Sequence, residues 1–223
     1  MTSRKAHMQP IVGPRWPKLA FDYSGATVLV TGGTSGIGAG IAAAYREAGA
    51  DVIITGTRAR ADQYEGDLSR FHYRQLALTD DAQIREVTAS LPCLDVLVNN
   101  AGANFVAADE YRPETFDRSV QVNLLAAYHL AYACRPLLAR SEWPGGASIV
   151  GLASMTSYFA VEVVPGYGAA KAGLVQLTKT LATAWAADGI RVNAVAAGFI
   201  LTPMTRYLAG NDAAAAPVLA RTP

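Results

Sequence analysis

Short apolar runs alternate with longer amphipathic stretches from residue 26 onward. Residues 26–31 (ATVLVT) are apolar at nearly every position and have strand length, and a glycine cluster follows at once. Ile37, Ile41, Ala44, Tyr45 and Ala48 then recur at helical spacing until Gly49 stops the helix. Further strands are predicted at 51–55 (DVIIT), 72–76, 95–98 (DVLV), 147–152 and 191–196 (RVNAVA). Ile84, Val87 and Leu91 mark a short helix started near Asp80 and Asp81. Two long helices are predicted, from Pro113 to Leu138 and from Tyr167 to Ala187, and residues 213–216 form a short alanine run. Strands apolar on both faces that alternate with helices predict an α/β fold, a doubly wound parallel sheet of six strands in one domain.

Composition agrees with that pattern. The chain has 223 residues, of which 51% are hydrophobic and 17% charged, enough apolar material for one large core. The formal net charge of +1 gives no electrostatic reason to expect nucleic acid or an anionic membrane as partner. No run reaches the length of a membrane span, and the first twenty residues carry three prolines and no signal-peptide core. Residues 1–23 read as an extended arm ahead of a domain at 24–223, and the expected setting is the cytoplasm. Cys93 and Cys134 are expected to be small core residues in a reducing compartment. His129 is expected to be structural and far from any carboxylate. No metal-ligand spacing is visible.

The glycine cluster Thr31-Gly32-Gly33-Thr34-Ser35-Gly36-Ile37-Gly38 closes the first strand and opens the first helix. Gly32 permits a tight turn, Gly36 lets backbone N–H groups approach a pyrophosphate, and Gly38 lets helix and strand pack closely. In that context the cluster is a dinucleotide signal. The second strand ends Ile54-Thr55-Gly56-Thr57-Arg58, with no carboxylate for the adenine-ribose hydroxyls; Arg58, with Arg60 nearby, instead suits a 2′-phosphate. The cofactor expected is NADP or NAD, with NADP favoured. Tyr167 and Lys171, four apart at a helix start, share one face.

The spacing T-G-x-x-x-G-x-G resembles the short-chain dehydrogenase/reductase family, and Asn99-Asn100-Ala101-Gly102 after the fourth strand looks like that family's N-N-A-G motif. The resemblance covers residues 24–205 and implies a Rossmann-type sheet. It implies a catalytic tetrad of Asn123, Ser154, Tyr167 and Lys171, with Ser157 a less well spaced rival for Ser154. Tyr167 would exchange a proton with the substrate oxygen. Lys171 would lower the phenol's pKa and hold the nicotinamide ribose, and Ser154 would bond the developing oxyanion. Asn123 would hold a helix kink and a water relay. Cofactor contacts are implied at Gly32, Thr34, Ser35, Gly36, Ile37, Gly38, Arg58, Asn100, Ala101, Gly102, Tyr167, Lys171, Gly198, Ile200 and Thr202. Two positions depart from the family: Ala77 stands where an adenine-binding Asp is usual, and Ala197 where a proline is usual.

Substrate walls are expected at Asn104, Phe105, Met155, Tyr158, Phe159, Val163 and Phe199, with Met204 and Tyr207 on a flap, a largely apolar set suited to a ketone or secondary alcohol. The implied activity is NAD(P)-dependent hydride transfer. A dinucleotide-binding protein without turnover and a related epimerase or dehydratase are the alternatives. Relatives continue into a seventh strand, absent here, so the chain reads as shortened at its carboxyl end, with the sixth strand left as an edge unless the flap or the arm covers it. The resemblance further implies a homodimer through the two long helices.

Overall fold

The computed structural model describes residues 20–206 and 211–220; the arm at 1–19 and Tyr207 lie outside them. Six strands form one parallel sheet: β1 (Thr27–Val30), β2 (Asp51–Gly56), β3 (His72–Gln75), β4 (Val96–Asn99), β5 (Ala147–Ser154) and β6 (Ile190–Ala197). Their order is β3-β2-β1-β4-β5-β6, so the winding reverses between β1 and β4. The helices are α1 (Gly36–Glu47), α2 (Asp81–Ala89), α3 (Pro113–Val120), α4 (Ala126–Leu138), α5 (Pro165–Ala184) and α6 (Asp212–Leu219).

The two-residue period of each strand divides the core. Leu29, Ile53, Leu97, Ile149 and Val192 face one side, where α2, α4 and α5 cover them with Ile84, Leu130, Leu138 and Leu181. Val28, Val30, Ile54, Val96 and Val98 face the other, against Ala42 of α1 and the rings of Tyr64, Phe71 and Trp143. Tyr23 stacks on Trp143 with ring centroids 5.6 Å apart and meets Tyr45 edge-on.

The first long helix runs from Pro113 to Leu138 as expected, with a π turn at Gln121–Leu125 between α3 and α4, around Asn123, where a kink is expected. Three expectations need correction. Cys134 is buried as expected, but Cys93 is exposed, with its Sγ 3.1 Å from the Thr27 hydroxyl; it lies in the surface turn before β4, outside the apolar period. His129 is not remote from carboxylates, because α2 packs beside α4 and brings Asp81 Oδ1 to 3.5 Å from His129 Nδ1. Helix α5 begins at Pro165, whose fixed φ suits a first helical turn, two residues before Tyr167.

Among the described residues β6 is an edge strand, paired with β5 from Ala147↔Ile190 to Ser154↔Ala197. The described part of the flap does not cover it. Thr202 packs instead on the glycine loop, with its Cβ 3.2 Å from where a Cβ on Gly36 would stand.

Candidate active site

The carboxyl ends of β1 and β4 meet at the reversal point, and short polar bonds hold them together. The Thr31 hydroxyl donates to Val98 O and accepts from the Asn100 and Ala101 N–H groups, both at 3.0 Å. Asn100 Nδ2 donates to Thr31 O at 2.8 Å and Gly32 O at 3.2 Å, so the second amide of the N-N-A-G run pins the glycine turn. Gly32 and Gly36 have φ of +63° and +54°, a region side chains disfavour. A Cβ on Gly38 would sit 2.2 Å from Gly32 O. Ser35, at the N-cap of α1, makes no capping bond with its side chain, and the first turn holds no acidic residue. That helix start therefore presents amides to an anion. A cradle that any Cβ would fill, under uncapped amides, fits a dinucleotide pyrophosphate.

At the end of β2, Arg58 is held from three sides. Its N–H donates to the Tyr64 hydroxyl at 2.8 Å, its carbonyl accepts from the Tyr73 hydroxyl, and its guanidinium lies 4.7 Å from the centre of the Tyr64 ring. Tyr64 fits there because Gly56 leaves room: a Cβ on Gly56 would meet the Tyr64 hydroxyl at 2.4 Å. Sequence reasoning gives neither tyrosine a part in the site: Tyr64 belongs to no apolar period or motif, and Tyr73 reads only as part of the third strand. Arg60 instead pairs with Asp62. The Ala77 N–H is taken by Gln83 Oε1 at 2.8 Å, and Asp80, the nearest carboxylate, caps α2.

Ser154, Tyr167, Lys171 and Asn123 come together at the carboxyl ends of β4 and β5. Ser154 is the last residue of β5; its hydroxyl accepts the Thr156 N–H at 3.2 Å, and it is near enough to Tyr167 to lower the phenol's pKa. The rival Ser157 serves Ser154 instead, accepting the Ser154 N–H at 3.3 Å. Lys171 is 3% exposed; its Nζ donates to Leu152 O at 2.6 Å and lies 5.5 Å from the centre of the Tyr167 ring. Gly102 separates Lys171 from Asn123: a Cβ there would stand 2.6 Å from Asn123 Oδ1 and 3.5 Å from Lys171 Nζ. The buried Asn123 side chain spans two segments, donating to Ala103 O at 2.7 Å and Ser119 O at 2.9 Å and accepting from the Ala103 N–H at 3.1 Å.

Burial shapes the acid–base properties. It pushes the Lys171 ammonium down to about 8. It also raises the Tyr167 phenol; the nearby Ser154 hydroxyl opposes that rise and the charge of Glu110 adds to it. The expected lowering of Tyr167 by Lys171 is therefore corrected: desolvation is the largest influence, and the ammonium is turned to a carbonyl rather than to the phenol.

A cleft of about 460 Å³ is lined by Val106, Asp109, Glu110, Tyr111, Glu162 and Val163. Tyr111 closes one side by donating to Glu162 O at 2.8 Å. Of the described residues expected as substrate walls, Val163 alone lines this cleft, and neither Ser154 nor Tyr167 does; the lining carries three carboxylate residues from loops that show no periodic signal. Tyr158 and Phe159 are exposed, as are Ile200 and Met204 beyond β6.

The short chain dehydrogenase family model matches residues 26–213. D-beta-hydroxybutyrate dehydrogenase of Cupriavidus necator is 34% identical over 194 residues, 82% of this chain and 74% of that protein. 2-Dehydro-3-deoxy-D-gluconate 5-dehydrogenase of Pseudoalteromonas atlantica is 34% identical over 218 residues, 91% of this chain and 83% of that protein. Among solved structures, the RhlG/NADP active-site complex of Pseudomonas aeruginosa superposes with a TM-score of 0.77 at 31% identity, covering 87% of this chain and 80% of that one. The match spans both the glycine cradle and the Ser154–Tyr167–Lys171 cluster, and the chain belongs to the short-chain dehydrogenase family of oxidoreductases.

Proposed function

We propose that the chain transfers hydride between a nicotinamide dinucleotide and a ketone or secondary alcohol, with Tyr167 as general acid and base. The observation that carries this reading is the placing of Lys171, 3% exposed, with its Nζ on Leu152 O of β5 and 5.5 Å from the centre of the Tyr167 ring, at the strand end that Ser154 closes and beside the glycine cradle. The cofactor, held by the amides at the start of α1 and by Lys171, would supply or accept the hydride. Tyr167 is a protonated phenol at neutral pH, the form that donates to a carbonyl oxygen as negative charge develops there. Ser154 bonds the same oxygen and shares the charge. Asn123 keeps the π turn and the residue after Gly102 in register with Lys171. Arg58, fixed by Tyr64, supports NADP over NAD, in keeping with the NADP complex of the Pseudomonas aeruginosa structure.

The hydroxybutyrate and gluconate-derived substrates in the relatives' names suggest small polar alcohols for this chain too. The proposal extends to a homodimer through the long helices, where Leu125, Tyr128 and Tyr132 are exposed along one face. The test is a panel of hydroxy acids and sugar-derived alcohols with NADP⁺ and NAD⁺, followed by absorbance of the reduced cofactor. Wild-type protein turns over at least one member. Tyr167→Phe loses about 10²–10⁴-fold in rate while binding NADPH as before. Near-normal rates in that variant, or NADPH binding with no turnover across the panel, overturn the reading.

A further inference from the structure

Glu110 is a buried acid that the proposed chemistry does not use. It is 1% exposed, and its carboxylate contacts two backbone groups far apart in the chain. Oε1 accepts the Phe105 N–H and Oε2 the Tyr167 N–H, both at 2.8 Å. Burying a carboxylate is costly unless its charge is met. Here two amide donors and the positive end of α5 meet it.

Helix α5 needs that partner. Its N-cap is Val164, which offers no side-chain acceptor, and Tyr167 is its third residue. The cap comes instead from the segment after β4. Close packing keeps it in place: a Cβ on Gly166 would stand 3.2 Å from Glu110 Oε2 and 2.9 Å from the Ser119 Cβ. Ser119 in turn accepts from Asn123. The carboxylate, itself on the cleft wall, thus joins the Phe105 backbone, the start of α5 and the π turn.

We propose that Glu110 is a positioning residue for Tyr167, a distant helix cap that fixes where the phenol stands and fixes the cleft wall relative to it. The inference rests on the reading of Tyr167 as the acid–base group. A carboxylate is the side chain the site requires. It offers two acceptors to two donors, whereas a glutamine sets an NH₂ against one of them and an aspartate is a methylene too short to span both. The charge matters as well as the shape. Two side chains bear on the phenol, Ser154 from β5 and Glu110 from the cleft wall, while Lys171 from α5 stands 5.5 Å from its ring centre with its ammonium on Leu152 O. Around Glu110 itself stand Asp109 and Glu162 on the same cleft, and Arg118 over the Phe105 ring at 4.4 Å. Burial is the main reason the phenol stays protonated and the Glu110 charge adds to it, so removing that charge shifts the Tyr167 titration to lower pH.

The test uses the free protein with ¹³Cζ-labelled tyrosine, Tyr167 being assigned by its missing resonance in Tyr167→Phe. In Glu110→Gln the Tyr167 titration moves to lower pH; a titration unchanged from wild type overturns the proposal. Should that variant not fold, Glu110→Asp decides, because it keeps the charge and loses the span. Its Tyr167 amide exchanges at least ~10-fold faster than wild type, and an exchange rate equal to wild type overturns the proposal. Neither measurement needs turnover. Activity retained by Tyr167→Phe would sink the acid–base reading, whereas an inactive Tyr167→Phe beside an unchanged Glu110→Gln titration would sink only the role of Glu110.

Discussion

Lys171 shows how a functional side chain strains the fold that holds it. Its ordinary pKa is 10.5, and burial lowers it to about 8. Between those values the unfolded chain keeps the lysine proton and the native chain releases it, so native stability rises with pH across that window. The full penalty is present below pH 8, and the gap corresponds to about 3 kcal/mol. Lys171→Met removes the buried charge and also the bond to Leu152 O, which contributes about 1 kcal/mol. The variant is therefore expected to melt above wild type at pH 7 and to lose that advantage as pH approaches 10, as read by thermal melts of both proteins across that range. A difference independent of pH would show that the ammonium is not desolvated as described. Lys171 and Tyr167 were legible in the sequence because a four-residue helical spacing is local. Glu110 was not, because its partners, Phe105 and Tyr167, are brought together only by the tertiary fold. The direction of the Tyr167 shift was missed for a related reason: spacing shows which charges are near, and burial depends on everything else.

At the scale of elements, the break between α3 and α4 matters more than the helices it separates. Apolar periodicity runs on through residues 121–125, so the pattern reads as one helix; the family resemblance places a kink at Asn123, and the backbone there forms a π turn. The side chain ties that turn to the residue after the N-N-A-G run through the N–H and C=O of Ala103 and to Ser119 O. Asn123→Ala leaves two part-buried groups of Ala103 and the buried Ser119 carbonyl without that partner. We expect a loss of about 2–4 kcal/mol in denaturant unfolding and a larger loss of turnover than of NADPH affinity, since Gly102 stands between Asn123 and Lys171. A variant as stable as wild type would mean that the turn is held by helix packing alone. The strands were easier to read. Their ends shifted by a residue or two, but each predicted strand formed; β1, β2, β4 and β5 are the buried ones, for which an unbroken apolar run is needed, whereas the edge strands β3 and β6 are largely exposed or alternate.

At the scale of the whole molecule, the sheet order follows from alternation and handedness, whereas assembly leaves no comparable trace in the pattern. Residues 125, 128 and 132 are spaced along one face, and Leu125, Tyr128 and Tyr132 are exposed at 39%, 37% and 60%. Large side chains placed in a row outside a core that is already filled are costly to leave in water. A two-fold axis beside α4 would bring each row against its copy, burying both at once. The edge at β6 is a weaker candidate, since its outward residues are mostly small or polar apart from Val195. Wild-type protein is therefore expected to sediment as a dimer, and Tyr132→Lys combined with Leu125→Lys as a monomer that keeps its melting temperature when compared at matched low concentration. The two charges would face their own copies across the axis, so repulsion adds to the lost apolar contact, and salt would restore only the former. A wild-type protein monomeric at every concentration, or a double variant still dimeric, would move the interface away from α4.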